Sequence, residues 1–275
     1  NNGQFRLRIE DTDKARSEEK YVEEICHSLK WLNINWHKDI IYQSRNINNH
    51  LEIADTLLKN GHAYKCFCTK EEIDAERELA IKNKIPYQYS KKCRNVKNDN
   101  EKKPYVLRFK VPQNKSTILN DNVLGKIEVN NENIDDFIIC RTDSTPTYML
   151  SVVVDDFSMG ITDIIRGDDH LTNSFKQIII FNAMQWKIPR FAHIPLIHGN
   201  DGAKLSKRHG ALSVTKYKEM DILPEALNNY LLRLGWGHKD KEIFSMEEAT
   251  NLFNLDGIGK SSARFDQKKL DFLNS

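Results

Sequence analysis

Apolar and polar residues alternate at the start of the chain. Phe5, Leu7 and Ile9 interleave with Arg6, Arg8 and Glu10, the period-two pattern of a strand. Past Asp11-Thr12-Asp13 the period lengthens, and Val22, Ile25, Cys26, Leu29 and Leu32 fall on one helical face. A second helix is predicted over 48–59, with Leu51, Ala54, Leu57 and Leu58 inward and Gly61 as its C-cap. A short strand at 63–68 follows, then Thr69 with Glu72 three residues on, the reciprocal cap that opens a third helix. Residues 84–104 are polar, rich in Lys and Asn, and predict a long loop. Strands are expected again at 105–111, near 125–129 and at 137–140. From Tyr148 helices and strands alternate once more, with a helix at 172–186, a buried strand at 191–197 and a turn at Asn200-Asp201-Gly202. The last stretch reads as helical, at 225–234 and again behind the Ser245/Glu248 cap.

The order α/β, mostly β, then α/β predicts a parallel sheet interrupted by an inserted domain. In such sheets ligands bind beyond the carboxyl ends of the strands. Two chemically loaded loops fall there: Glu10-Asp11-Thr12-Asp13 and Lys204-Leu205-Ser206-Lys207-Arg208.

Composition narrows the function classes. No apolar run approaches the ~20 residues a bilayer-spanning helix needs, and Asn1-Asn2-Gly3-Gln4 opens no signal-peptide core. Five cysteines, an odd number, point to a reducing cytoplasm rather than a disulfide scaffold. The net charge of +2 hides an uneven distribution. Residues 59–115 carry 15 Lys+Arg against 7 Asp+Glu, and residues 116–170 carry 3 against 11. A basic block beside an acidic one is either a footprint for a polyanion or two solvated faces.

Lys204, Lys207 and Arg208 set three cations within five residues of a loop flanked by Gly199, Gly202 and Gly210. Such a loop can fold over a polyphosphate and neutralise charge developing on a leaving group. By itself the cluster is equally an exposed basic turn. The wording of the segment goes further. Lys204-Leu205-Ser206-Lys207-Arg208 resembles the KMSKS motif of class I aminoacyl-tRNA synthetases, and its continuation through His209-Gly210 resembles the glutamyl and glutaminyl branch. Arg8-Ile9-Glu10-Asp11-Thr12-Asp13, Pro146-Thr147-Tyr148, Val154-Asp155-Asp156 and Ile165-Arg166-Gly167 are similar to stretches of the same branch, in the same order. The chain is therefore identified as a member of the bacterial-type glutamyl-tRNA synthetase family.

The resemblance implies a class I Rossmann-type catalytic domain in two parts, 1–65 and 148–198. Between them it implies an acceptor-stem-binding insert of mixed α+β structure at 66–147, and after them a helical stem-contact region at 199–275. It implies ATP with Mg2+, glutamate and the glutamate tRNA as ligands, with the glutamine tRNA as a further candidate, in a cytoplasmic monomer. Glu10, Tyr148 and Arg166 match glutamate contacts. Asp169, Ile197 and Lys207 match ATP contacts, and Lys204, Lys207 and Arg208 the catalytic loop. A HIGH motif belongs upstream of Gly3 and an anticodon-binding domain beyond Asn274, so the chain is expected to be incomplete at both ends and inactive alone. A glutaminyl enzyme, a short tRNA-modifying paralogue and a non-catalytic RNA-binding module are the alternatives. Cys66, Cys68 and Cys93 resemble part of a zinc site whose fourth position is Asn95. An amide there is a poor ligand, so zinc is not expected.

Overall fold

The computed structural model describes residues 3–12, 18–96, 103–199, 201–205 and 212–275. The first unit is a parallel crossover, β1 (Arg8–Ile9) and β2 (Ile41–Tyr42) with α1 (Glu19–Trp31) between them. A parallel pair cannot be closed by a tight turn, so the intervening helix is the expected connection. The strand at β1 is shorter than the alternation predicted. Upstream of it, only scattered bonds such as Ile41 N–H to the Leu7 carbonyl continue the pairing.

A single tight turn at Gln43–Asn46 leads into α2 (Ile47–Lys59), which buries His50, Ala54 and Leu57. β3 (Ala63–Cys66) follows, then α3 (Lys70–Lys82). The predicted cap of α3 is formed in both directions: Glu72 N–H donates to the Thr69 hydroxyl at 3.3 Å, and Thr69 N–H to the Glu72 carboxylate at 2.8 Å. β4 (Val106–Phe109) pairs antiparallel with β3 on one side and with β7 (Ile138–Cys140) on the other.

Residues 116–130, expected inside the 66–147 insert, form a hairpin of β5 (Ser116–Asp121) and β6 (Gly125–Asn130) that extends the main sheet. The sheet order is β6-β5-β9-β8, with β8 (Asp163–Gly167) and β9 (Arg190–Ile194) parallel and β5 joined parallel to β9 at Asp121 and Phe191. α4 (Tyr148–Ser158) and α5 (Leu171–Ala183) pack on this layer. One hydrophobic cluster, including Ala54, Phe109, Leu119, Ile139, Leu150, Ile180 and Phe191, runs from α2 through the hairpin to β9. The segments read as separate in sequence thus share a core. β9 stops before the predicted 197 because Pro195 has no N–H to continue a ladder.

The C-terminal part carries α6 (Val214–Glu219), α7 (Pro224–Gly235), α8 (Met246–Leu252) and α9 (Gln267–Asn274). Its core of Tyr217, Leu227, Tyr230 and Leu270 includes Leu32, at the end of α1, with Trp31 against it. Asn228 Nδ2 also donates to the Leu32 carbonyl at 2.9 Å. The helical region is therefore anchored on the first crossover.

Candidate active site

The chemically loaded residues follow the carboxyl ends of β1, β8 and β9. Glu10 directly follows β1, where strand geometry ends and a side chain is free to project beyond the sheet. It accepts from Arg8 Nη2 at 3.1 Å, while Arg8 Nη1 donates to Asp156 of α4 at 2.8 Å. Burial works against charge on Arg8, but Asp156 and Glu10 outweigh it and hold its pKa above the ordinary value. Asp156 goes the other way: burial raises its carboxyl pKa despite Arg8.

Tyr148 opens α4, half-buried, with its ring 6.3 Å from that of His170. Burial pushes its phenol pKa up; Arg166 pulls it back and Glu10 pushes it further. Glu10 and Arg166 both act electrostatically on Tyr148.

Arg166, near the end of β8, is held on three sides. Its Nη2 donates to Ser174 Oγ and to Gln177 Oε1, each at 2.7 Å, and its Nε to His193 Nε2 at 3.3 Å. Burial lowers its pKa, offset in part by Tyr148 and Asp156. Gln177 is a residue the sequence reading missed. Its Nε2 is buried and makes no close hydrogen bond among the described residues, but it stands near enough to Tyr148 to hold that phenol's pKa down in part. A lone Gln inside an apolar helical pattern gives no sequence signal.

Beyond β9 the chain doubles back. Leu205 N–H donates to the Ile197 carbonyl at 2.9 Å, His198 bridges Lys204, and Gly202, at φ 77°, takes the turn that a Cβ would strain. The return places Lys204 Nζ 2.6 Å from Asp169 Oδ2. Lys204 holds the Asp169 carboxyl below its usual pKa. Gly167 leaves room for this arrangement, since a Cβ there would stand 2.7 Å from Asp169 Oδ1. Ile197, Asp169 and Lys204 therefore sit together beside Arg166. Lys207 and Arg208, the other two cations of the loop, lie outside the described residues, as does Asp13.

A second buried carboxylate stabilises the floor of the site. Asp155 accepts from Gln43 Nε2 at 2.7 Å and from Asn46 Nδ2 at 2.6 Å, with His50 Nε2 at 2.7 Å. Burial alone would raise its pKa, but these partners more than reverse that and hold it low. The set joins α2 to α4 directly behind the Arg8–Asp156 pair.

The sequence matches the family of class I tRNA synthetases (E and Q), catalytic domain, over residues 1–272. The chain belongs to this family. It is 55% identical to Glutamate--tRNA ligase 1 of Orientia tsutsugamushi (strain Boryong) over 99% of its own length and 58% of that protein's. It is 51% identical to Glutamate--tRNA ligase of Pelagibacter ubique (strain HTCC1062), over 99% of this chain and 59% of that protein. A crystal structure of a glutamate tRNA ligase from Elizabethkingia meningosepticum, in complex with its amino acid, superposes with a TM-score of 0.91 at 33% identity. It is covered over 62% of its length by the whole of this chain. The chain thus spans about three fifths of the length of the relatives it matches. The interrupted parallel sheet expected from the sequence is the fold of this class I synthetase domain.

The synthetase-family chain carries one further cluster, at the end of β3. The sulfurs of Cys66, Cys68 and Cys93 all lie within 4.8 Å of one another, Cys68 and Cys93 at 3.6 Å. Tetrahedral zinc with Zn–S bonds of ~2.3 Å sets thiolates about 3.8 Å apart, so the spacing fits. The expectation of no zinc rested on Asn95 as the fourth position; that residue is exposed. Tyr89 Oη stands against the sulfurs as a hydrogen-bond partner, 3.3 Å from Cys66 Sγ and 3.2 Å from Cys68 Sγ, and accepts the Cys93 N–H at 3.3 Å. Burial resists ionisation of Cys66, yet hydrogen bonds from Tyr89, the Cys68 backbone and Arg108 bring its pKa below the ordinary value. Burial pushes the Cys68 thiol up to about 12 and the Tyr89 phenol well above its ordinary value, so these two groups resist the ionisation a metal ligand needs. The cluster offers three sulfur donors and a hydrogen-bonded phenol, and the sequence expectation of no zinc is kept as a proposal.

Proposed function

We propose that the protein carrying this chain is a glutamate–tRNA ligase. It activates glutamate with Mg-bound ATP and transfers it to the 3' end of the glutamate tRNA. The observation that carries the reading is the convergence of Glu10, Tyr148 and Arg166 from three separate elements, beside the Asp169–Lys204 pair.

The chemistry suits this assignment. The substrate ammonium pairs with the Glu10 carboxylate, a charge-assisted bond about twice as strong as a neutral one. Arg166 offers a planar fork to a substrate carboxylate, and Tyr148 a phenol donor. The α-carboxylate of glutamate attacks the α-phosphate of ATP, the bond to pyrophosphate breaks, and glutamyl-adenylate forms. A terminal ribose hydroxyl of the tRNA then attacks the mixed anhydride and releases AMP. The protein's part is positioning and neutralisation of phosphate charge. Lys204, with Lys207 and Arg208, supplies that charge, and Asp169 and Ile197 line the nucleotide side. Mg2+, bound with ATP, would screen the phosphate charge. The basic block at 59–115, most of it within the insert at 66–147, serves as the surface for the acceptor stem; the 199–275 region is a second stem contact.

The test is pyrophosphate exchange by the full-length protein with tRNA present. Exchange that depends on glutamate supports the reading. Exchange that depends on glutamine instead assigns the glutaminyl branch, and none with either amino acid sinks the ligase assignment.

A further inference from the structure

Three adjacent strands carry a polar relay that ends on Arg166. Asp121 closes β5, His193 sits on β9, and Arg166 on β8 stands in direct register with His193. Asp121 Oδ2 lies 2.6 Å from His193 Nδ1, and both side chains are 0% exposed. The carboxylate also accepts the backbone N–H groups of Val123 and Leu124, at 2.9 Å each, and that of His193. On the far side of the ring, Nε2 lies 3.3 Å from Arg166 Nε and 2.9 Å from Ser174 Oγ.

The chemistry fixes the tautomer. A guanidinium only donates, so His193 Nε2 must accept. The ring proton facing the carboxylate then sits on Nδ1, donated to Asp121. A carboxylate behind the ring increases the electron density at the accepting nitrogen. Together His193, Ser174 and Gln177 occupy Nε and both hydrogens of Nη2. The hydrogen bonds to Ser174, Gln177 and His193 do not use Nη1, and the Tyr148 phenol stands beside the guanidinium. The guanidinium is thus gripped along one edge, leaving the other end for a ligand.

We propose that His193, oriented by Asp121, is a positioning residue that sets the plane of Arg166 for the substrate carboxylate. The inference rests on the glutamate-binding role of Arg166 given above. Asp121 comes from the hairpin of residues 116–130, so the hairpin has a task in the site: it locks the histidine that locks the arginine. A pair that merely joined β5 to β9 would not need Nε2 turned onto Arg166.

Two substitutions in the full-length protein divide the ring's two jobs. His193→Asn keeps a donor for Asp121 and removes the acceptor facing Arg166. His193→Gln puts a carbonyl oxygen near the Nε2 position and restores that acceptor. In glutamate-dependent exchange, His193→Asn should raise the KM for glutamate roughly 10-fold or more, the scale of a lost bond to a charged group. The KM for ATP should be unchanged, and His193→Gln should stay within about 3-fold of the parent. Equal glutamate KM values for the two variants, or equal shifts in the ATP and glutamate KM, would overturn the proposal. Nitrogen-15 spectra of the histidine-labelled protein give a readout independent of turnover. A His193 ring protonated on Nδ1 alone supports the relay; one protonated on Nε2 refutes it, even if the variants do not fold. If the parent protein shows no exchange, the ligase reading falls by itself, and the ring tautomer still decides the relay.

Discussion

Lys204 reaches back 2.6 Å to Asp169, which stands two residues past the end of β8. The contact ties the cationic loop to the strand that carries Arg166, so the nucleotide side and the amino-acid side of the site share one anchor. Both partners are partly exposed, at 54% and 37% of their side chains. Such a pair contributes under ~1 kcal/mol, weak enough for Lys204 to exchange Asp169 for a phosphate.

Asp169→Asn in the full-length protein should therefore raise the KM for ATP by a few fold, in a salt-dependent way, with the KM for glutamate unmoved. Lys207→Ala should act differently. An ammonium aimed at developing phosphate charge works mainly in the transition state, so activation should slow by roughly 10²–10³-fold while glutamate binding is kept. Pre-steady-state adenylate formation and equilibrium glutamate binding separate the two effects. A loss confined to binding would remove Lys207 from the catalytic loop.

Breaking the buried Asp155 set should cost much more. Asp155→Ala leaves Gln43, Asn46 and His50 facing a cavity between α2 and α4. Removing one member of a buried charged network costs roughly 3–5 kcal/mol. Urea unfolding of the full-length protein would read this as a lowered midpoint. A loss below about 1 kcal/mol, the range of surface pairs, would show that the network is solvent-relaxed.

Acid should act through the same groups. Asp155 and Asp121 both titrate below the ordinary 3.8 in the folded chain. A depressed folded pKa means the unfolded chain binds more protons in that window, so stability is present above about pH 4 and lost as pH falls through the folded values. Asp156, whose pKa is raised, opposes this in part. Stability measured from pH 6 down to 3 should fall with a slope that Asp155→Asn makes shallower. An unchanged slope would mean that Asp155 is not depressed.

The cysteine cluster gives a metal prediction. The purified protein should carry less than one equivalent of tightly bound zinc, and a chelator should change its stability little, because the Tyr89 phenol and the Cys68 thiol both resist ionisation. Elemental analysis and unfolding with and without chelator check this. Stoichiometric zinc that is lost in Cys93→Ser would make the cluster a metal site.

Much of the chain's local structure was legible because its signals are local. The Thr69/Glu72 and Ser245/Glu248 caps were both readable and both formed, since each involves groups three residues apart. The strand at 116–121 was missed for an equally physical reason. Its inward residues are Thr117, Leu119 and Asp121, so the buried face is mostly polar, while Ile118 points outward. Periodicity measures hydrophobicity, and here burial and hydrophobicity part company.

The sequence by itself determined the family and the identities of the loaded residues, because a motif is a fixed order of side chains. It named Glu10, Tyr148, Arg166, Asp169 and Lys204 as candidates before any contact was known. Only the tertiary structure decided what the acidic block at 116–170 is for. Asp121, Asp136, Asp155 and Asp156 are not a solvated face; they are buried beside His193, Arg94, His50 and Arg8. Their partners lie from 42 to 148 residues away in the chain. A charge run carries no record of such distant neighbours, and desolvation, which makes each pairing obligatory, exists only once the chain has folded around it.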